Sequence, residues 1–379
     1  MLRKTAIVVL LNLLKIPFNF FKVFFRIREK NISLVYREEQ TPGKEQMPGN
    51  LFFINNGLIN YGYNVIITVK KSKSSGLGFV LRFLFYLAVC PITIIDDRYA
   101  FLYPLKLRRK TKLIQVWHAL GAFKKMGGTR SDISPDTTLS HRNYSAAVVS
   151  SQNVIPHYAE AFNLSEEKIF ATGAPRTDMF FDENYMQEIK QSQYDQIPVL
   201  RDKRIILFAP TYRGKDNRDA HYPESFLDMD RLYESLGEHD LFIIKHHPFI
   251  KNKTGIPENF GDKIIDLSFF REVNNLLLIT DLLITDYSSC IFEYALLKRP
   301  IVFYAPDLER YGGNRGLHYD YDEYVYGTKC TNFSDLLKAI KKPELDTNKL
   351  EKFTKRFLQS CDGNSTKRFL EKFIPEGKD

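Results

Sequence analysis

Four groups of residues in this 379-residue chain have types and spacing suited to chemistry. The first is Gln115-Val-Trp-His-Ala-Leu-Gly-Ala-Phe-Lys-Lys-Met-Gly-Gly128. There the only tryptophan, Trp117, and His118 close an apolar run, and a glycine-containing turn leads to Lys124 and Lys125. An imidazole titrates near pH ~6.5 and can take a proton from a reacting hydroxyl, although a lone histidine at a strand end equally serves as an ordinary hydrogen-bonding residue. The second is Lys245-His246-His247-Pro248, where adjacent side chains on a strand point to opposite faces, so one imidazole faces a cleft. Two histidines can begin a metal site, but no carboxylate or third histidine stands at helical spacing to complete one, and no metal or other cofactor is expected.

The third group is Leu282-Leu-Ile-Thr-Asp-Tyr-Ser-Ser-Cys-Ile-Phe-Glu293, which carries Thr285, Asp286, Ser288, Ser289 and Glu293. A strand that runs through hydroxyls into a helix offers unpaired N–H groups and a positive dipole end, which is either a phosphate cradle or a plain N-cap. The fourth is basic: Arg176 in Gly173-Ala-Pro-Arg-Thr-Asp178, Arg213 after Phe208-Ala-Pro-Thr-Tyr212, and Arg315 in Arg315-Gly-Leu-His-Tyr-Asp320. Each guanidinium can grip a diphosphate bidentately, or simply form a surface ion pair.

Residues of this kind need rigid elements beneath them. Apolar runs at Asn64–Lys70, Pro91–Asp96, Lys112–Ala119, Ala146–Ser151 and Lys168–Gly173 read as strands. So does a second series at Arg204–Pro210, Asp240–His246, Lys263–Leu267, Leu282–Thr285 and Pro300–Tyr304. Helical patterns separate many of them, including Pro156–Phe162, Val273–Asp281 and Ile291–Lys298. Near-continuous apolar strands between helices imply parallel sheets covered on both faces, and two series imply two Rossmann-like domains of an α/β protein. Ligands of such sheets bind beyond the carboxyl ends of the strands, where all four groups fall. The expected division is an arm and lead-in over 1–48, an N-terminal domain over 49–200, a C-terminal domain over 201–345 and a C-terminal helical segment over 346–379. The polar stretch Gln187–Ile197 before Pro198 reads as the linker.

Composition narrows the classes. With 44% hydrophobic and 26% charged residues the chain can bury cores, which excludes a disordered or fibrous protein. Four cysteines far apart, with no C-x-x-C pair, argue against a disulfide scaffold or zinc site and suit a reducing compartment. Residues 1–130 hold 22 Lys or Arg against 6 Asp or Glu, whereas 131–379 hold 32 against 39, so the net charge of +9 comes from the first third. That asymmetry points to a polyanionic surface. Residues 1–30 thread Arg3, Lys4, Lys15, Lys22, Arg26, Arg28 and Lys30 among aliphatic and phenylalanine side chains. Asn12, Lys15, Pro17 and Asn19 interrupt the apolar run well short of the about 20 residues needed to span a bilayer. The segment reads as lying in a headgroup layer, or as an amphipathic helix docked on the protein's own core; the charge density favours an anionic membrane surface. Phe79–Val89, preceded by Lys70, Lys71 and Lys73, is either a second such element or a buried helix. No nucleic-acid-binding signature accompanies the basic residues, so nucleic acid is not expected as partner.

Taken in order, these motifs resemble the CDP-glycerol glycerophosphotransferase family of teichoic acid synthesis over about residues 50–340. The resemblance rests on Trp117-His118 with Lys-Lys-Met-Gly, Gly-x-Pro-Arg-x-Asp at 173–178, Phe-Ala-Pro-Thr-Tyr-Arg at 208–213, His247-Pro248, Ile-Thr-Asp-Tyr-Ser-Ser at 284–289 and Arg-Gly-x-x-x-Asp at 315–320. Polymerising members usually read His-Gly-Thr-Pro-Leu-Lys where this chain has His118-Ala-Leu-Gly-Ala-Phe-Lys124. That departure, with no long extra N-terminal domain, favours the primase branch, although a polyol-phosphate polymerase or capsule enzyme stays open. Lys-His-His-Pro in place of Lys-Leu-His-Pro leaves His246 without a family role.

The resemblance implies a GT-B architecture of two facing Rossmann-like domains and monotopic attachment to the cytoplasmic side of the cell membrane. It implies transfer of glycerol phosphate from CDP-glycerol to a lipid-linked, polyprenyl diphosphate saccharide, with CMP released. In that scheme His118 is the general base and His247 donates to a diphosphate oxygen. Ser288, Ser289 and the amides of the following helix hold the diphosphate, and Arg213 or Arg315 neutralises charge. Thr285, Asp286 and Glu293 orient the ribose or glycerol hydroxyls, and Lys124, Arg176 and Thr211 join them as substrate-binding residues. The rivals are a GT-B glycosyltransferase using a nucleotide sugar, which would share the cradle, and a non-catalytic membrane scaffold, which would need no strand-end histidines.

Overall fold

The computed structural model describes residues 11–37, 47, 49–71, 76–130, 139–214, 218–270 and 272–375, the side chains of 312–315 excepted. Arg3, Lys4 and Lys73 lie outside these described residues. The apolar runs become two all-parallel six-stranded sheets. The first contains β1 (Asn31–Arg37), β2 (Asn64–Lys70), β3 (Ile92–Ile95), β4 (Lys112–Gln115), β5 (Ala146–Val148) and β6 (Ile169–Phe170), in the order β2-β1-β3-β4-β5-β6. The second contains β7 (Arg204–Phe208), β8 (Asp240–Ile244), β9 (Ile264–Asp266), β10 (Leu282–Thr285), β11 (Ile301–Tyr304) and β12 (Thr328–Cys330). Read from β9, its order is β9-β8-β7-β10-β11-β12, the Rossmann order 3-2-1-4-5-6.

The strand order reverses between β1 and β3 in the first sheet and between β7 and β10 in the second, and beyond those carboxyl ends a doubly wound sheet opens its crevice. All four residues of β10 are buried, as are Ile32, Leu34 and Val35 of β1. One face of the first sheet packs against the helices Gly49–Asn60 and Ser365–Phe373, through Leu51, Ile54, Phe369 and Leu370. The other packs against the helix Gly76–Val89, through Phe83, Leu84 and Leu87, joined by Phe18 of the helix Lys15–Phe24. On the second sheet Leu232 of the helix Met229–Ser235 and Leu336 and Ile340 of the helix Phe333–Lys341 close one face.

The chain divides into two compact units, one of residues 1–178 with 357–379 and one of 179–356. This departs from the expected division in three ways. The lead-in assigned to the arm contains β1, which pairs with both β2 and β3 inside the first sheet; its run Ile32-Ser-Leu-Val-Tyr36 was grouped with basic neighbours although its own apolarity marks a strand. The polar stretch 187–197, expected as a linker, lies almost wholly within the helix Glu183–Gln196, capped by Asp182 and packed with the second unit against the helix Val273–Ile279. The C-terminal segment is two helices, Thr347–Phe357 and Ser365–Phe373, and the second returns to the first core.

That return is built by the motif Gly173–Asp178. Both carboxylate oxygens of Asp178 accept the first N–H groups of the last helix, from Ser365 at 2.9 Å and Thr366 at 2.7 Å, a cap of the kind that contributes about 1 kcal/mol. Gly173, at φ +86°, lets the crossing chain approach so closely that a Cβ there would stand 2.0 Å from the Ser360 carbonyl oxygen.

Candidate functional site

In the first unit the strand expected over 112–119 stops at Gln115, because Trp117 takes the left-handed conformation with φ +50°. A non-glycine residue there carries strain of roughly 1–2 kcal/mol and persists only where its surroundings hold it. They do. The Trp117 N–H donates to Gln115 Oε1 at 2.8 Å, and its carbonyl accepts from Asn50 Nδ2 at 2.8 Å. The carbonyl of His118 accepts from the Arg176 guanidinium at 3.2 Å. The next turn is pinned by Tyr158, whose hydroxyl donates to Ala119 O at 2.9 Å, and by Ser150 Oγ, which accepts the Gly121 N–H at 3.1 Å.

His118 itself is exposed, with its ring stacked on Trp117 at 4.3 Å between centroids. Its Nδ1 lies 3.1 Å from the carbonyl oxygen of Asp96, just beyond β3. A carbonyl can only accept, so Nδ1 carries the proton and Nε2 keeps a lone pair: a base-competent tautomer. Arg176, expected to grip a diphosphate, is buried with its guanidinium on the His118 carbonyl, so its visible work is under this bend. Lys124 is half-buried at the far end of the loop.

In the second unit the residues after β7 and β10 meet at the switch point. The buried Thr285 hydroxyl donates to Ala209 O at 2.7 Å. The buried Asp286 Oδ1 accepts from Thr211 N at 2.7 Å and Tyr287 N at 2.5 Å. Arg213 is paired with Asp286 Oδ2 at 2.9 Å, and its Nε and Nη2 donate to the two oxygens of Asp307 at 2.6 and 2.8 Å. A further N–H, on Nη1, goes to Thr211 O at 2.5 Å, and the rings of Tyr311 and Tyr287 lie 5.0 and 5.1 Å from the guanidinium carbon. Burial opposes the charge on Arg213, and Asp286 and Asp307 more than restore it, leaving its pKa above the ordinary arginine value. Thr285, Asp286 and Arg213, expected to meet ribose, glycerol or diphosphate, are thus turned inward. A buried strand end leaves polar groups that must be satisfied, and these side chains satisfy them.

Ser288 and Ser289 remain half-buried at the start of the helix Cys290–Leu296. Ser288 Oγ accepts the Cys290 N–H at 3.4 Å, so one of the amides expected to hold an anion already has a partner, while the Ser289 side chain makes no capping bond. Glu293 is buried within that helix, Thr211 is buried beside Asp286, and the Arg315 side chain lies outside the described residues.

The adjacent histidines do divide. His246 is buried; its backbone N–H donates to Ser268 Oγ at 2.9 Å and its Nε2 bonds the Thr254 hydroxyl at 2.9 Å, and burial pushes its pKa down to about 4. It fastens the 246–254 loop. His247 is half-buried between Tyr212 and Phe249, at ring distances of 4.8 and 4.6 Å. The Phe249 N–H donates to its Nδ1 at 3.1 Å, so the neutral ring holds its proton on Nε2 and presents a donor. Among the described residues no group of three His, Cys, Asp or Glu side chains is placed to hold a metal ion. Asn50, Gln115 and Asp307 were missed by sequence reasoning. Only Asp307, three residues beyond the apolar strand β11, carried the signal that singled out the others.

Two parallel sheets with polar residues gathered at their switch points are the framework of nucleotide-binding α/β proteins. A family model described as CDP-Glycerol:Poly(glycerophosphate) glycerophosphotransferase matches residues 47–374. The chain belongs to this family. It is 37% identical to the teichoic acid poly(ribitol-phosphate) polymerase of Bacillus spizizenii, over 93% of this chain and 58% of that protein. It is 36% identical to the teichoic acid ribitol-phosphate primase of the same organism, over 78% of each, and 33% identical to the teichoic acid glycerol-phosphate primase of Bacillus subtilis, over 75% of this chain and 74% of that one. The chain therefore spans little more than half of the polymerase. Its fold is that of the wall teichoic acid polymerase TagF, with a TM-score of 0.74 at 23% identity over 98% of this chain and 95% of that one.

Two outcomes test these assignments. Arg213→Met leaves Asp286 and Asp307 without a counter-charge and should destabilise the second unit by about 3–5 kcal/mol, read as a lowered unfolding transition; unchanged stability with weakened donor binding would return Arg213 to the substrate. His246 has a folded pKa of about 4 against 6.5, so its contribution is complete above pH 6.5 and lost as the pH falls towards 4. That loss, on the order of 3 kcal/mol at the acid end, should flatten in His246→Gln when unfolding temperature is followed across that range.

Proposed function

We propose that this chain transfers polyol phosphate from a CDP-polyol, glycerol in the first instance, to a hydroxyl of a lipid-linked polyprenyl diphosphate saccharide, as the first unit of a wall teichoic acid. The acceptor oxygen attacks the phosphorus bearing the polyol, the bond to CMP breaks, and CMP leaves with the bonding pair. His118 Nε2 takes the acceptor proton, and His247 Nε2–H donates to a diphosphate oxygen. Ser288 and Ser289 meet the diphosphate, with Lys124 and Arg315 adding positive charge. The first unit serves the acceptor and the second the donor, as a GT-B pair. Phosphoryl transfer of this kind is driven by positioning and charge neutralisation.

The observation that carries this reading is the opposite backbone contact of the two rings, a carbonyl oxygen at Nδ1 of His118 and an N–H at Nδ1 of His247. From these a lone pair on His118 Nε2 and a proton on His247 Nε2 follow. Family membership supports the donor class, and TagF has been solved as a variant after a CDPG soak. Ribitol is the second donor reading, because the ribitol-phosphate polymerase and primase are 37% and 36% identical and the glycerol-phosphate primase 33%. Incubation with CDP-glycerol, CDP-ribitol and UDP-sugars, with CMP release and mass of the lipid product as readouts, separates donors and counts the units added. His118→Ala and His247→Ala should each lower CMP release by about 10²–10⁴-fold with unfolding temperature unchanged. Near-normal turnover in both ends the assignment.

The membrane reading is supported by the helix Lys15–Phe24. It buries Phe18 and sets Phe21 against Phe85, while Ile16, Val23 and Phe24 are 68%, 77% and 68% exposed on its far side. Lys15, Arg26, Arg28 and Lys30 are exposed alongside, and Leu77 and Leu81 of the neighbouring helix extend the apolar face. No helix among the described residues is long and apolar enough to cross a membrane. An apolar helix face flanked by lysine and arginine fits the interface of an anionic bilayer. Replacing Ile16, Val23 and Phe24 by serine should abolish flotation with phosphatidylglycerol vesicles, and added salt should weaken that of the wild type. Wild-type flotation of the triple variant overturns this surface.

A further inference from the structure

We propose that Asn50 is the positioning residue of His118, holding the left-handed turn at Trp117 that aims the imidazole. The inference rests on His118 as the base, and adds the group that makes it one.

Asn50 stands in the first turn of the helix Gly49–Asn60 and is 3% exposed. Its side chain joins segments far apart in sequence: Nδ2 donates to Trp117 O at 2.8 Å and to Val116 O at 3.3 Å, while Oδ1 accepts the Arg176 N–H at 3.0 Å. Two donors and one acceptor in a neutral, planar group are what an asparagine amide supplies; aspartate would oppose two carbonyls with its own negative oxygens, and leucine would fill the volume with no donor. Two of the bonds fall on the carbonyls either side of Trp117, the residue held at φ +50°. Without them the bend keeps only the Gln115 bond to the Trp117 N–H and the Arg176 bond to the His118 carbonyl, and Trp117 relaxes. Relaxing it rotates the peptide that joins it to His118, carries the ring off the indole on which it stacks at 4.3 Å, and removes Nδ1 from the Asp96 carbonyl that fixes its tautomer. The Arg176 N–H contact couples the same amide to the residue whose guanidinium holds the His118 carbonyl. The hydrogen bonds of the Asn50 side chain go to backbone groups of the bend and of Arg176, so its effect on transfer passes through His118.

The test compares Asn50→Leu, Asn50→Ser and His118→Ala in the full-length protein, each first checked for an unchanged unfolding temperature; Asn50→Ser, which keeps one hydroxyl donor, stands in should the leucine variant fail to fold. Nitrogen-edited NMR of the imidazoles reads the tautomer directly. The wild type should show His118 protonated on Nδ1, and the Asn50 variants a mixture with the Nε2–H form. With CDP-glycerol or CDP-ribitol, whichever the enzyme uses, kcat should fall about 10–100-fold and KM for the donor should change by less than about twofold. In the His118→Ala background, Asn50→Leu should lower the residual rate no further. A wild-type tautomer and kcat in a folded Asn50 variant overturns the proposal, as does a loss that multiplies with that of His118→Ala. If His118→Ala alone turns over normally, the base assignment fails, and the NMR arm still decides whether Asn50 sets the ring.

Discussion

The second unit depends on one guanidinium lying between two carboxylates where little water reaches. Strands β7, β10 and β11 deliver Thr211, Asp286 and Asp307 to the same end of the sheet, and Arg213 binds all three. Three buried charges cost several kcal/mol each to desolvate, and such groups often add little net stability over an apolar core. What they add is geometry. A fork with three N–H groups hydrogen-bonded and an ion pair to Asp286 besides permits one arrangement of three loops, and the Ser288-Ser289 turn hangs directly from Asp286. The serines reach the surface while the residues before them are buried.

A similar solution appears in the first unit without a carboxylate. Gln115, Asn50, Arg176 and the Asp96 carbonyl take up the polar groups of a strained bend, and His118 is what the bend presents. In both units the residue offered to solvent is carried by hydrogen-bonded neighbours, most of them buried. Pre-organisation of this kind places the cost of ordering in folding rather than in each turnover.

Much of the fold was legible in the sequence because parallel strands buried on both faces are nearly unbroken apolar runs: β2 and β10 fall at the expected residues to the letter. The failures have physical causes. β1 was masked by basic neighbours that belong to a different element, and β12, Thr-Lys-Cys at an edge, has no apolar pattern to read. The polar helix Glu183–Gln196 looked like a linker because, apart from Gln193, it buries little. Of the candidate site, sequence position marked the right strand ends but not the direction of the side chains. Thr285 and Asp286 follow a strand as Ser288 and Ser289 do, yet the first pair turns inward to pair buried backbone and the second does not. Asn50 gave no signal at all, since its partners lie 66 to 126 residues away.

The tautomers show why type and spacing stop short of mechanism. Two imidazoles of identical chemistry are made unlike by the backbone group each Nδ1 meets: a carbonyl that can only accept at His118, and an N–H that can only donate at His247. Exchanging those partners would reverse the roles with no change in either residue. His246 completes the series, because with its Nε2 bonded to Thr254 and its surroundings dry it is held neutral and does neither job. What separates these three histidines is therefore the neighbouring atom each ring faces, which is a property of how the strand ends turn and not of the histidines themselves.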